Sequence, residues 1–159
     1  MSKRTWMLAG ACLVTLSGGC DGPGPPPAAS VTIRGKTWQV ELATTVDQRY
    51  LGLSHRSSMP DGRGMLFIYP TAGEHDFCMR QCLIDLDIAF IGPDRRVIKT
   101  YTMKVEPDGV GAVRYSSEGP AQFVLETEAG AMRRAGVLPG DEVTFSAGVP
   151  EAAKAAPDK

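Results

Sequence analysis

From residue 31 onward the chain sets apolar and polar positions in short runs broken by turn residues. The runs 31–34 and 37–42 flank Gly35 and Lys36, and Trp38, Val40 and Leu42 alternate with Gln39 and Glu41. That period of two predicts a half-buried hairpin. Thr45 is placed to cap a short helix over 46–54, in which Val46, Tyr50 and Leu53 recur at helical spacing and Gly52 marks the end. The stretch 55–64, with Pro60, Gly62 and Gly64, reads as a loop leading into Met65-Leu66-Phe67-Ile68-Tyr69, a nearly continuous apolar run of the buried-strand type. Ile84, Leu86, Ile88 and Phe90 then alternate with Asp85, Asp87 and Ala89, which predicts a strand with one apolar face, turned by Gly92-Pro93-Asp94.

Further strands are predicted over 96–103 and 122–128. One or two helical turns over 129–135 end at Gly136, and a closing strand over 142–146 follows Pro139-Gly140-Asp141. Many short strands with tight turns and only two helical pieces predict a mostly β fold. Its form is a compact antiparallel sandwich or partly open barrel with one or two short helices. Phe67, Leu86, Ile88, Phe90, Val124 and Leu125 are the expected core.

The ends of the chain lack this pattern. Residues 1–20 read as an export signal: Lys3 and Arg4 precede an apolar stretch over 6–16 that is too short to span a bilayer. The small residues after it end at Cys20, and Leu16-Ser17-Gly18-Gly19-Cys20 resembles the lipobox of bacterial lipoproteins, with Leu one position further from the cysteine than usual. The reading is lipidation of Cys20 and a protein anchored through its N-terminal lipid to a bacterial membrane, facing the periplasm. Residues 21–30 are Pro-rich and form an extended tether reaching roughly 30 Å. Residues 148–159 are small, polar and Pro-broken, a loose tail. The folded unit is therefore a single domain over 31–147.

Composition narrows the function without fixing it. The 159 residues carry 17 basic and 18 acidic side chains. Loss of Lys3 and Arg4 with the signal leaves 15 basic against 18 acidic groups. No nucleic-acid partner is expected from such a balance, nor strong attraction to anionic lipid heads beyond the acyl anchor.

The ordered pieces Gly52-Leu53 with Arg56, Gly64-Met65-Leu66-Phe67, Phe77-x-Met79-Arg80, Leu86-Asp87-Ile88-x-Phe90, Val124-Leu125-Glu126 with Gly130, and Gly140-Asp141 together resemble the signature of the domain-of-unknown-function family DUF192. The resemblance covers about 31–146. It implies a compact β-rich domain, often exported or lipid-anchored, and supplies no reaction. Two departures stand out. Where the family typically shows Trp-Met-Lys-Asn-Thr this chain has Cys78-Met79-Arg80-Gln81-Cys82, and Ser54 stands where Met is common after Gly-Leu.

With Cys12 in the signal and Cys20 lipidated, Cys78 and Cys82 remain as a pair in an oxidising compartment, and a local disulfide is expected. A straight strand would hold their Cα atoms about 13 Å apart, beyond the roughly 7 Å limit, so a bridge needs a bend between them. It would contribute only about 2 kcal/mol in the chain-entropy account and would mainly fix loop shape. The competing reading is a copper site of His75, Cys78, Met79 and Cys82, whose thiolate and thioether donors suit Cu(I).

Asp85 and Asp87 share one face of their predicted strand, as an acid–base pair or a hard-cation site requires. Hydrogen bonding to neighbouring backbone, or pairing with Arg80, is the simpler account. Ser54 beside His55 lacks a nucleophile-elbow pattern. Gly62-Arg63-Gly64 is too short for a phosphate loop. Met59, Met65 and Met103 read as loop and core residues.

No catalytic constellation can be read. Arg56, Arg80, Asp87 and Glu126 are the candidates for a shared pocket. The expected function is a membrane-tethered periplasmic accessory or ligand-binding module, with an unknown protein or small molecule as partner and no cofactor. The alternative is a thiol-redox or Cu(I)-binding protein using Cys78 and Cys82.

Overall fold

The computed structural model describes residues 28–150. The export signal, Cys20, most of the tether and the end of the tail lie outside the described residues. Among those described are strands β1 (Ser30–Ile33), β2 (Lys36–Ala43), β3 (Arg63–Gly73), β4 (Asp76–Phe77), β5 (Leu86–Ile91), β6 (Val97–Met103), β7 (Tyr115–Ser116), β8 (Ala121–Glu128) and β9 (Val143–Phe145), with helices α1 (Val46–Leu51) and α2 (Ala131–Ala135). The strand-rich reading therefore holds.

Seven strands form one sheet in the order β6-β5-β8-β3-β2-β1-β9, while β4 and β7 pair separately. The opening hairpin of β1 and β2 turns through Arg34 and Gly35, both at positive φ, the geometry of a tight two-residue hairpin loop. All pairings are antiparallel except β2 with β3, which the connection through α1 brings alongside in parallel. Register shifts lie between Ile68 and Gly73 on β3 and between Phe90 and Ile91 on β5. Such irregularities bend strands and increase twist.

The two edges of the sheet meet. Arg96 bridges Glu142, the Val97 amide donates to the Asp141 carbonyl at 2.9 Å, and the Val143 amide donates to the Arg95 carbonyl at 2.8 Å. The sheet is thus a partly open barrel, closed at one point between the β6 and β9 sides.

Each face of the sheet buries its own core. Val31, Ile33, Trp38, Leu66, Ile68, Ala89, Ile91, Val97, Phe123, Leu125 and Val143 come from all seven strands and fill the inside of the curl, where Ala131, Met132 and Val137 join them. The outer face carries Met65, Phe67, Leu86, Ile88, Phe90 and Val124, covered by Leu53, Met79, Cys82 and Met103 from loops and strand ends. The six expected core residues are all buried. The expectation of a one-sided strand at β5 fails, because every one of its residues is buried.

The first helix also differs from its reading. It is six residues long, and Thr45 caps it as expected, with Gln48 completing a capping box that satisfies first-turn amides locally. It buries no residue: Val46 and Tyr50 are exposed, and Leu53 is buried only after the chain has turned at Gly52. A helix under two turns long held by its cap has no need of an apolar stripe.

A cleft over Glu126

On the outer face of the barrel, α1, the segment 76–82 and the loop 104–114 enclose a cleft of about 360 Å³. Phe67, Cys82 and Glu126 are its deep residues, Phe77 and Cys78 its half-buried wall, and Tyr50, Val110 and Arg114 its exposed mouth.

Strand register explains the floor. Ile88, Glu126, Met65 and Glu41 are successive cross-strand partners on β5, β8, β3 and β2, so they share the outer face. Glu126 is 5% exposed. Among the described residues no donor is hydrogen-bonded to its carboxyl group, and burial pushes its pKa up to about 8. At neutral pH it is predominantly an uncharged acid, able both to donate and to accept.

The wall is tied to its neighbours through backbone. The Cys82 amide donates to the Met79 carbonyl at 3.2 Å, closing a turn in which Gln81 has positive φ. The Ser54 hydroxyl donates to the Arg80 carbonyl at 3.0 Å, and the Gln81 amide reaches the Gly109 carbonyl at 2.9 Å. Gly111 lies so close that a Cβ there would fall 2.9 Å from Cys78 Sγ and from the Arg80 amide nitrogen. Its loop is held by the Glu106 carboxylate, which accepts from the amides of Ala112 and Val113. Arg80 itself is oriented: its guanidinium lies 3.8 Å over the Tyr50 ring and donates to the Tyr50 carbonyl at 2.6 Å.

Of the four candidates for a shared pocket, Arg80 and Glu126 line the cleft and Arg56 and Asp87 do not. Arg56 forms a two-pronged pair with Glu41 at 2.5 and 2.6 Å, and that contact holds the Glu41 carboxyl below its ordinary range. Asp87 is one position out of phase with Ile88 and faces the inner side of the sheet. There it accepts from Thr102 Oγ1 at 2.7 Å and from the Met132 amide at 3.0 Å, serving the N-terminus of α2, which has no side-chain cap of its own.

Asp85 is separate again. Lys104 Nζ at 2.7 Å and the Val105 amide at 2.9 Å hold its carboxyl below the ordinary range, so no acid–base pair forms with Asp87. Ser54 is engaged with Arg80 and not with His55. Met65 and Met103 are buried and Met59 packs against the same outer cluster.

Cys78 and Cys82 both line the cleft as free thiols, and the expected disulfide is not formed. Burial, reinforced by the Glu126 and Cys78 charges, pushes the Cys82 thiol up to about 11. Of the other copper candidates, Met79 is fully enclosed in the outer core and the His75 ring stacks on Tyr69 at 3.6 Å. Among the described residues no group of three or more His, Cys, Asp and Glu side chains is placed to hold a metal ion.

Sequence reasoning missed Phe77, Tyr50 and Arg114. Phe77 lies on the two-residue strand β4, too short for any period to show. Arg114 precedes its equally short partner β7.

Two other depressions are poorer candidates. One of about 510 Å³ is bounded by Arg34, Lys36 and Arg134, which already pair with Asp141, Asp61 and Glu128. Another of about 340 Å³ includes Asp87, whose oxygens are engaged as described.

Comparison with known proteins places this arrangement in context. The family model DUF192, described as an uncharacterized ACR, matches residues 29–145. A crystal structure of a protein of unknown function from Novosphingobium aromaticivorans DSM 12444 is 34% identical, with a TM-score of 0.66, over 72% of this chain and 83% of that one. A second, from Sinorhizobium meliloti 1021, described as a candidate transcription regulator, is 30% identical with a TM-score of 0.68, over 80% of this chain and 100% of that one. No curated protein matches the chain.

Proposed function

The chain belongs to the uncharacterised family DUF192, and from that premise we propose that it is a membrane-tethered ligand-binding module of the periplasm whose site is the cleft over Glu126. Export and tethering are supported by residues 1–30, with Lys3 and Arg4 before a short apolar stretch, Cys20 at its end and a Pro-rich spacer behind it. Binding is supported above all by one observation: a buried carboxyl with no hydrogen-bonded partner among the described residues opens into a cleft. The acid is presented to the cleft, where a hydrogen-bonding ligand can take the place of water at its oxygens. The cleft sets apolar and aromatic side chains beside Asp76, Arg80, Arg114 and Glu126, so polar groups are at hand to orient a small molecule.

The thiol-redox and Cu(I) alternative draws support from Cys78 and Cys82 lining the same cleft. Against it stands the raised Cys82 pKa, since the thiolate is both the nucleophile and the metal ligand. The name of the Sinorhizobium meliloti relative suggests transcriptional regulation, but the near-balanced charge of this chain offers no phosphate-tracking surface.

Native mass spectrometry of the protein released gently from its membrane tests the reading. A small-molecule adduct is expected on the wild type and is lost in Arg80→Ala. Retention in Cys78→Ser would separate binding from thiol chemistry. An adduct-free wild type, or an adduct indifferent to Arg80→Ala, contradicts the proposal.

A further inference from the structure

Resting on the reading of the cleft as a binding site, we propose that it selects a small aromatic carboxylate, with the acid held at the Arg80 and Arg114 mouth and an uncharged polar end at Glu126. Charge gives the first argument. Arg80 and Arg114 have no carboxylate partner among the described residues, whereas the cations around the larger depression near Arg34 are paired. Arg80 uses one of its donors on the Tyr50 carbonyl, and the remaining face of the guanidinium fork matches a carboxylate. The exposed Asp76 also lines the cleft but is hydrogen-bonded to neither arginine, so two guanidinium groups stand against one exposed carboxylate there, a balance that favours an anion.

The wall gives the second argument. Phe77 meets Phe67 edge-to-face with centroids 5.1 Å apart and meets Phe90 in the same way at 5.6 Å. This places aromatic surface between mouth and floor, suited to another ring. The floor gives the third. A deep carboxyl group would repel an anion if it were charged, so the ligand's charged end belongs at the mouth, and a hydroxyl or carbonyl end fits Glu126.

Titration calorimetry on the full chain with three probes of one shape tests the claim: 4-hydroxyphenylacetate, its amide and tyramine. The acid is expected to bind at least about tenfold more tightly than the amide, the loss anticipated when a charge-assisted pair becomes a neutral one. Tyramine should not bind. Arg80→Ala should remove the preference for acid over amide, and Arg114→Ala, at an exposed position without a structural partner, should reduce it while the fold is unaffected.

Protection of Cys78 from alkylation, read by peptide mass spectrometry, reports occupancy of the cleft. If amide and amine protect Cys78 and bind as well as the acid, the cleft binds ligands but acid selection is wrong. If no probe binds and none protects Cys78, both the acid class and the binding site are wrong.

Discussion

Glu126 couples protonation to folding. Its pKa rises from an ordinary 4.5 to about 8 on burial, so the folded state holds a proton that the unfolded chain releases across that window. Stability is then highest below about pH 4.5 as far as this group is concerned, and it falls by about 1.4 kcal/mol per pH unit until Glu126 ionises near 8. Glu126→Gln carries no such penalty. Its stability relative to wild type should therefore grow by roughly 3 to 5 kcal/mol between pH 5 and pH 8.5 in urea melts. A difference that does not change with pH would contradict the burial of an unpaired acid. Asp87 makes a contrast one strand away. It is just as buried but satisfied by Thr102 and the Met132 amide, so Asp87→Ala leaves the buried Met132 amide without an acceptor and should cost about 1 to 3 kcal/mol. Because it faces the inner side of the sheet, ligand binding at the cleft should be unchanged. Loss of binding in a folded Asp87→Ala protein would show that the two faces are not independent.

At the scale of elements, β5 and β8 fix the site because both of their faces are covered. Leu86 is fully buried against the outer core, and Leu86→Ala should cost about 2 to 5 kcal/mol through lost contacts and a cavity. A change under about 1 kcal/mol in chemical denaturation would mean that the covering loops collapse into the gap or do not pack there. The strands were legible in the sequence where alternation or a short apolar run stood between turn residues, as in β1, β2, β3 and β5, and so was the cap at Thr45. The burial of the second face of β5 was not legible, because Asp87 reads as a solvent-side residue until its partners, distant in sequence, are known. The pair β4 and β7 has too few residues for periodicity to register, and it positions Phe77. The parallel pairing of β2 and β3 depends on where the α1 connection returns, which local pattern does not specify. For the site, Arg80 and Glu126 were marked by the ordered pieces that resemble DUF192. Arg56 and Asp87 were drawn off by Glu41 and by α2, and only strand parity and loop packing reveal that.

For the whole molecule, the inner core belongs to the barrel and the outer core belongs to the cleft, which leaves the site assembled from loops on a rigid sheet. Carbon-13 observation of the Glu126 side-chain carboxyl through a pH titration, without and with saturating 4-hydroxyphenylacetate, tests the central claim most directly. The account predicts a midpoint near 8 in the free protein, displaced upward when the ligand is bound because the uncharged acid is the form that accommodates it. A midpoint below about 5, or one that the ligand leaves unmoved, would contradict it.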